Sequence, residues 1–224
     1  MRHVETGSPE PLGLTLTRDG VNVAVFSANA LSIDVCLFDA SGDAEVARLT
    51  LPGRTGGVFH GFIAGVTAGT RYGLRAHGPW APHEGHRFNA DKLLVDPYAR
   101  ALDRPFALHP SMFGHQGDGS RNTVDSAPFV PKGILLGDSV PRFDTRPHVP
   151  WGETVLYEMH VRGFTQRHPG VPASLRGTCA GLAHPAAIEH LIRLGITTVE
   201  LMPVAAAIDE PLLARAGLTN YWGY

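Results

Sequence analysis

Two short runs near the amino terminus decide the fold class: "VNVAVFS" at residues 21–27 and "SIDVCLF" at residues 32–38. In each run every second residue is aliphatic, so one side of an extended chain would be apolar. The residues between them would face the other side, as Asp34, Cys36 and Phe38 do in the second run. This period of two predicts a pair of β-strands, with an aliphatic face made by Val21, Val23, Val25, Ile33, Val35 and Leu37.

The same pattern of short runs and turns continues through the first hundred residues. Further candidate strands are "EVARLTL", "VFHGFI" and "YGLRA", and turn residues such as Ser41-Gly42-Asp43 separate them. The 26 glycines and 18 prolines among the 224 residues mostly punctuate runs of this kind. Several short strands at this spacing predict an all-β sandwich over residues 1–100.

Composition and charge argue against several classes of protein. The formal net charge is -2, and the 19 Lys+Arg and 21 Asp+Glu form no long run, so no nucleic-acid or membrane partner is expected. No run of 18 apolar residues occurs, and the amino terminus lacks the apolar core of a signal peptide. Cys36 and Cys179 lie far apart in apolar contexts, which predicts two buried thiols in a reducing compartment. We therefore expect a cytoplasmic protein.

The periodicity fades between about Trp80 and Pro150. Stretches such as "GHQGDGSRNTVDSAP" are polar and rich in glycine and proline, and they are too long for a tight connection. We expect residues 101–150 to form an ordered linker with little regular structure.

After Trp151 the sequence changes to a strand, a helix and a second strand. The strands are "TVLYEMHV" (154–161) and "ITTVELMPV" (196–204), and the helix is "HPAAIEHLIRLG" (184–195), with an apolar stripe at Ile188, Leu191 and Ile192. This order predicts a βαβ unit with parallel strands that are buried on both faces. One such unit cannot cover its own sheet, so we expect apolar surface to be exposed on both strands.

The last six residues, "TNYWGY" (219–224), carry three aromatic rings in four positions. Chain ends are normally polar and frayed. We therefore expect the sequence to be cut from a longer polypeptide.

Four strings closely resemble bacterial glycogen debranching enzymes of the isoamylase type, within the α-amylase superfamily. They occur in the family's order, and the resemblance covers essentially the whole chain. The strings are "RAHGPWAPHEGHRFNADKLLVDPYAR" (75–100), "VLYEMHVRGFT" (155–165), "GITTVELMPV" (195–204) and "LTNYWGY" (218–224).

The resemblance implies a fold class and an activity. The fold would be an all-β immunoglobulin-like sandwich of the carbohydrate-binding type in residues 1–100, followed by the first βαβ segment of a truncated (β/α)8 TIM barrel in residues 151–224. In this family the barrel hydrolyses α-1,6 branch linkages with retention, using an Asp nucleophile, a Glu acid/base and a second Asp. These carboxylates follow barrel strands four, five and seven. We therefore expect no catalytic residue in this chain, which alone should be inactive. No metal or cofactor is expected either.

The resemblance also implies one substrate-binding residue. Tyr224 matches the family's tyrosine that stacks on the glucose ring just before the cleavage point, so the expected partner is a branched α-glucan such as glycogen or limit dextrin. The alternative is a stand-alone glucan-binding or assembly module without catalytic activity. A third possibility is a plain immunoglobulin-like interaction domain unrelated to sugars. It is disfavoured, because the strings that resemble the start of the barrel would then be coincidental.

Other residues have a structural interpretation beside a functional one. Tyr221 and Trp222 are more typical of packing residues that shape the loop. Glu158 and His160 would point to one face of a strand, where a mutually satisfied polar pair near the barrel floor is favoured over an acid/base couple.

Two features of residues 77–88 remain open on the sequence. His77, His83 and His86 lack the spacing of a metal site, so a structural role is favoured. Trp80 and Phe88 could form an exposed plate for glucan, or they could pack the sandwich against the following domain. The domain interface is favoured, because aromatic segments pinned by glycine and proline often join domains.

Overall fold

The computed structural model describes residues 3–137 and 147–224. The chain divides into two compact units, unit 1 (Met1–Val140) and unit 2 (Pro141–Tyr224). The strands of unit 1 are β1 (Val4–Glu5), β2 (Gly13–Leu16), β3 (Gly20–Phe26), β4 (Ser32–Phe38), β5 (Glu45–Thr50), β6 (Gly53–Thr55), β7 (Val58–Ala64), β8 (Arg71–His77), β9 (Trp80–Ala81), β10 (His86–Arg87) and β11 (Gly133–Ile134).

Two antiparallel sheets and a small β9–β10 ladder make up the regular part of unit 1. The first sheet has the order β1-β7-β3-β2, with β6 also paired to β7, and the second has the order β11-β8-β4-β5. β3 pairs with β7 along its whole length, from Gly20↔Ala64 to Phe26↔Val58. The two runs that the sequence identified as strands therefore lie in different sheets. The all-β character predicted for this region is confirmed.

The aliphatic faces of the two sheets share one core. Val21 and Val23 of β3 are fully buried in it, and Val25 is half-buried at its margin. Removing these side chains from water is the main stabilising contribution to unit 1. The buried members of this core are Val21, Val23, Ala30, Ile33, Val35, Leu37, Leu51, Phe59, Ile63, Val66, Tyr72, Leu74 and Leu135.

The second sheet is covered on its other face as well. Cys36 and Phe38 point away from the main core, yet both are buried in a second cluster with Leu93, Ala127 and Val130. The period-two pattern predicted that only one face of β4 would be aliphatic and gave no sign of a cover on the other. The cover comes from residues that follow the sandwich in sequence.

This cover has little regular structure and is held by hydrogen bonds from side chains to backbone. Nδ2 of Asn89 donates to the carbonyls of Gly114 (3.1 Å) and Asn122 (2.9 Å). The fully buried ammonium of Lys132 donates to the carbonyl of Val130 (2.8 Å). Buried polar groups need such partners, because an unmade hydrogen bond in the interior is costly. The segment is thereby bound to the sandwich within unit 1.

A buried arginine links the cover to the sheet. Arg75 of β8 is 1% exposed, and its guanidinium donates to the carboxylates of Asp125 (2.9 and 3.0 Å) and Glu45 (3.2 Å) and to the carbonyl of Ala90 (2.8 Å). Asp125 and Ala90 belong to the cover, whereas Glu45 belongs to β5. One side chain therefore joins β8, the strand β5 two places away in the same sheet, and the covering segment.

Unit 2 contains two parallel strands with helices between them. Its strands pair in register from Leu156↔Thr198 to Met159↔Leu201. The predicted strand, helix and strand are thus present with the predicted direction of pairing. The elements are β12 (Leu156–Met159), α1 (Val161–Thr165), α2 (Cys179–Leu182), α3 (Pro185–Arg193), β13 (Thr198–Leu201) and α4 (Pro211–Arg215).

Several details of unit 2 differ from the sequence prediction. β12 ends at Met159 and a helix begins at Val161. His160 between them still has extended backbone, and its side chain caps that helix by accepting from the N–H of Gly163. On α3 the buried side chains are Ala187 and Leu191, whereas the predicted stripe residues Ile188 and Ile192 are exposed.

Apolar surface is exposed on both strands of unit 2, as the sequence analysis expected. Leu156, Tyr157, Val199 and Leu201 are all exposed large hydrophobic side chains. Met159 is the one buried residue of the two strands. A two-stranded sheet has no layer to cover its second face.

The two cysteines have different environments. Cys36 is fully buried, whereas Cys179 lies exposed at the start of α2, and both are free thiols. The prediction of two buried thiols is therefore wrong for Cys179. Within residues 3–137 and 147–224, no helix has the length and apolar character needed to cross a membrane.

Candidate functional site

The carboxyl-terminal ends of β12 and β13 lie side by side, as parallel pairing requires. In α/β proteins built on parallel strands, functional groups gather at this end of the sheet. Here the end of β12 is followed directly by His160, and the end of β13 by Met202 and Pro203. We call these residues together with segment 218–224 the strand-end site.

His160 holds the terminal segment to the end of β12. Its ring stacks on the ring of Tyr221, with centroids 4.0 Å apart and planes inclined by 9°. Nε2 lies 2.6 Å from the carbonyl oxygen of Tyr221, and Nδ1 accepts from the backbone N–H of Gly163 (3.1 Å). Because Nδ1 is an acceptor, the ring proton is assigned to Nε2, which donates to the carbonyl.

Asn220 organises the turn that ends the chain. Its Oδ1 accepts from the N–H of Gly223 (3.0 Å), its Nδ2 donates to the carbonyl of Tyr224, and its own N–H donates to Asp209. Gly223 has a φ of +77°, and a Cβ there would come within 2.8 Å of the Pro203 carbonyl oxygen. Glycine is therefore required where the segment passes the end of β13.

The structure places the predicted substrate residue Tyr224 at the open side of this turn. The residue is 73% exposed, and its ring lies 6.3 Å from the ring of Trp222, at an angle of 58°. Trp222 also leaves most of its surface exposed, whereas Tyr221 stacks on His160 as a packing residue would. The exposed ring of Tyr224 can therefore contact a ligand, while the turn that carries it is held at the ends of both strands.

Glu158 and His160 do not form the polar pair that the sequence suggested. Both ring nitrogens of His160 have backbone partners, and the ring belongs to the residue after the strand. Glu158 lies exposed within β12, in register with Glu200 of β13. His160 thus sits at the strand end, where functional residues are expected, and not at the floor of the sheet.

Sequence reasoning missed the anchoring residues of the site. Gly163, Asp209 and Asn220 were not singled out. Asn220 and Gly223 belong to the string "NYWGY". Because Asn and Gly favour turns, a turn could have been predicted there. The partner residues His160 and Asp209 lie 61 and 11 positions away, which no local pattern reveals.

The three histidines of residues 77–86 are not brought together. Nε2 of His77 lies 2.7 Å from Oδ2 of Asp34, His83 lies beside Glu84, and His86 stacks against Phe88 with ring centroids 6.5 Å apart. In the part of the chain that the structure describes, no group of three or more His, Cys, Asp or Glu side chains is arranged to hold a metal ion.

Trp80 and Phe88 lie together in unit 1. Trp80 opens β9 and Phe88 directly follows β10, and both are half-buried and line a cavity of about 750 Å³.

We expect loss of the His160 ring to loosen the terminal segment. In His160→Ala the stack on Tyr221 and the hydrogen bond to its carbonyl are lost, which should lower the local stability by about 1–3 kcal/mol. Chymotrypsin under native conditions should then cleave after Tyr221 and Trp222 about tenfold faster or more, as followed by mass spectrometry. His148→Ala, at an exposed position of the same unit, should leave the rate unchanged. Equal rates in both variants would show that His160 does not anchor the segment.

Comparison with known proteins gives the following relations. Residues 11–99 match the family model of carbohydrate-binding module 48 (isoamylase N-terminal domain). Over its whole length the chain is 50% identical to a glycogen debranching enzyme of Yersinia enterocolitica, 47% to one of Erwinia tasmaniensis and 45% to one of Salmonella typhi. It spans about a third of the length of these relatives, 33% in the first and 34% in the others.

Solved structures show the same fold. A pullulanase from Paenibacillus barengoltzii, in complex with maltohexaose and alpha-cyclodextrin, superposes with a TM-score of 0.66 at 21% identity, over 98% of this chain and 31% of that one. A pullulanase from Bacillus acidopullulyticus superposes with a TM-score of 0.64 at 18% identity, over 90% of this chain and 22% of that one. The resemblance to bacterial glycogen debranching enzymes is confirmed, and the structural neighbours support the fold.

Proposed function

We propose that this chain is the N-terminal part of a glycogen debranching glycosidase, which in its longer form hydrolyses α-1,6-glucosidic branch linkages with retention. The observation that carries the proposal is the 45–50% identity to glycogen debranching enzymes over the whole chain. The partner would be a branched α-glucan, either glycogen or a limit dextrin. We retain the cytoplasmic location predicted from the sequence as part of this proposal.

The proposed architecture follows the three segments drawn from the sequence. Residues 1–100 form the immunoglobulin-like carbohydrate-binding module, residues 101–150 the linker, whose residues up to 137 pack on the second sheet of unit 1, and residues 151–224 the first βαβ segment of a TIM barrel. Parallel pairing of β12 with β13, the helices between them and the exposed apolar side chains on both strands support the last assignment. Such strands would be covered by neighbours in a complete barrel.

Tyr224 is the proposed substrate-binding residue. A pyranose ring has apolar C–H faces, so an exposed aromatic plate covers it well and leaves its hydroxyls for polar partners. The anchoring of segment 218–224 by His160 and Asn220 supports this role, because it holds the plate at the strand-end site.

The chain alone should be inactive. Retaining hydrolysis needs two carboxyl groups about 5 Å apart that flank the scissile bond. In unit 2, Glu158 and Glu200 are paired in register on the two parallel strands. They lie within exposed strands and not at the strand ends, so we assign them no catalytic role.

We expect two results from one set of assays on limit dextrin. The purified chain should release no reducing ends above the blank. A chimera in which this chain replaces the matching 225 residues of the Yersinia enterocolitica enzyme should release them, because the rest of that enzyme would supply the missing strands. In the chimera Tyr224→Ala should lower kcat/KM about tenfold or more, whereas Tyr224→Phe, which keeps the plate, should retain most activity.

Several outcomes would count against the proposal. Turnover by the chain alone that disappears in Glu158→Gln would show that a catalytic pair is already present. A folded but inactive chimera would show that this chain does not serve as the corresponding part of a debranching enzyme. Equal activity of Tyr224→Ala and Tyr224→Phe would remove Tyr224 from the substrate site.

A further inference from the structure

The cavity of unit 1 has a lining that is apolar over most of its residues. Its volume of about 750 Å³ lies within the range of small-molecule sites. Trp80 of β9 and Phe26 at the end of β3 both line it, and Phe26 is 59% exposed. The aliphatic residues of the lining come from β3, β4, β8 and the covering segment, and they include Val25, Ile33, Leu74, Ala76, Leu94 and Val95. The cavity can therefore receive a flat, apolar ring.

The ionisable side chains of this lining are basic. Arg87 and Lys92 line the cavity together with His86 and His115, and no carboxylate does so in the part of the chain that the structure describes. The chain as a whole has 21 acidic residues against 19 Lys+Arg, so this bias does not reflect the composition. A cavity with a positive potential favours an anionic ligand.

Neither of the two permanent cations has an acidic partner. Among residues 3–137 and 147–224, the salt bridges involve basic residues other than Arg87 and Lys92. Lys92 is 5% exposed, and its ammonium donates to the carbonyl of Val124. Arg87 is exposed at the cavity. The positive charge of the lining is therefore not neutralised by a neighbouring carboxylate and is available to a ligand.

Trp80 and Arg87 are register partners on the β9–β10 ladder. In an antiparallel pair, opposite side chains leave the same face of the ladder, with Cβ atoms about 4.5–5.5 Å apart. The guanidinium does not stack on the indole, because the cation–π contacts among the described residues are made by Arg54 and Lys132. One ligand can therefore contact the ring of Trp80 and the charge of Arg87 together.

The backbone behind Trp80 is held in place. A Cβ at Gly114 would lie 3.7 Å from the indole of Trp80, so the ring passes close to that residue. Nδ2 of Asn89 donates to the carbonyls of Gly114 (3.1 Å) and Asn122 (2.9 Å), which fixes this part of the covering segment. A site that is already formed loses little conformational entropy when it binds a ligand.

We propose that this cavity binds a nucleoside phosphate, with the base stacked on Trp80 and the phosphate groups bound by Arg87. A nucleobase is a flat ring, and aromatic side chains stack on every base because each has a π-face. Arginine suits phosphate because its planar guanidinium donates two parallel hydrogen bonds. Phe26 adds a second apolar wall, and Lys92 adds positive potential. The site does not depend on the proposed function, and it gives Trp80 a role other than the domain interface that the sequence favoured.

Titration calorimetry of the chain with ADP, at low salt and without a divalent cation, tests the site. We expect binding of ADP whose association constant falls about tenfold or more in Arg87→Gln and in Trp80→Ala. Adenosine and inorganic phosphate should each bind about tenfold more weakly than ADP or worse, because each makes only one of the two contacts. Arg18→Gln is the matched control, because Arg18 is an exposed arginine of the same unit. If thermal melts show that Trp80→Ala does not fold, the exposed Arg87→Gln variant decides.

Each other outcome overturns the proposal. Absence of ADP binding to the wild-type chain at concentrations up to about 1 mM would exclude the site. Equal affinity of wild type and a folded Arg87→Gln or Trp80→Ala variant would place ADP elsewhere on the chain. Adenosine that binds as tightly as ADP would show that the cavity does not recognise phosphate. Maltoheptaose that binds more tightly than ADP, and loses its binding in Trp80→Ala, would show that the cavity prefers a neutral sugar.

Discussion

Arg75→Ala should lower the free energy of unfolding of unit 1 by about 3–5 kcal/mol. The substitution removes a long side chain from a closed space, so that most of its volume becomes a cavity. It also leaves the carbonyl of Ala90 without its donor and separates Asp125 from the sheet. The variant no longer has to bury the charged guanidinium, which is a stabilising change. This gain offsets only part of the loss, because Asp125 and Glu45 already neutralise that charge in the wild type.

Urea denaturation followed by far-UV circular dichroism measures this effect. Arg18→Ala is a suitable control, because Arg18 is exposed in the turn between β2 and β3 and should change the stability by less than about 0.5 kcal/mol. A loss below about 1 kcal/mol in Arg75→Ala would mean that the covering segment is held to the sheet without its arginine.

The second large effect is a loss of stability at alkaline pH that depends on Cys36. Burial, and secondarily the Glu45 carboxylate, raises the pKa of the Cys36 thiol from 9.0 to about 12. Between these two values the unfolded chain has released the thiol proton while the folded chain still holds it. The folded state then binds more protons, so the free energy of unfolding falls as the pH rises, by about 1.4 kcal/mol per pH unit from this one group.

Comparison with Cys36→Ala isolates this contribution. The variant should be somewhat less stable at pH 8, and its stability should fall less steeply above pH 9 than that of wild type. The buried Tyr72 phenol, whose pKa is also raised by burial, contributes a further loss at still higher pH in both proteins and cancels in the comparison. Parallel pH profiles of wild type and Cys36→Ala from pH 8 to pH 10.5 would contradict the prediction.

The strands and the βαβ order were predictable because they depend on local patterns. Alternation in "VNVAVFS" and "SIDVCLF" identified β3 and β4, and the proline and glycine that bound "HPAAIEHLIRLG" identified α3. The second buried face of β4 was not predictable in this way. Cys36 and Phe38 are covered by a segment with no periodic signal, whose side chains bind backbone carbonyls instead of forming strands.

The candidate site was likewise predictable only in part. Its aromatic rings stand in a short string whose resemblance to a known family suggested a role for Tyr224. The anchoring contacts, however, join His160 to Tyr221 and Asp209 to Asn220, and they depend on where parallel strands end in space. Likewise Phe26 at the end of β3 lines the same cavity as Trp80 and Phe88, although more than fifty residues separate them in sequence.

By itself, the sequence determined the alternating strands of the sandwich, the strand–helix–strand order of unit 2 and which family the chain resembles, because those properties follow from spacing and short strings. The tertiary structure alone decided that the polar segment after the sandwich becomes a buried cover, that Cys179 is exposed, and that His160 anchors the aromatic turn. The physical reason is that burial and hydrogen-bond partnership belong to groups distant in sequence. Their energies depend on distances that no local pattern encodes.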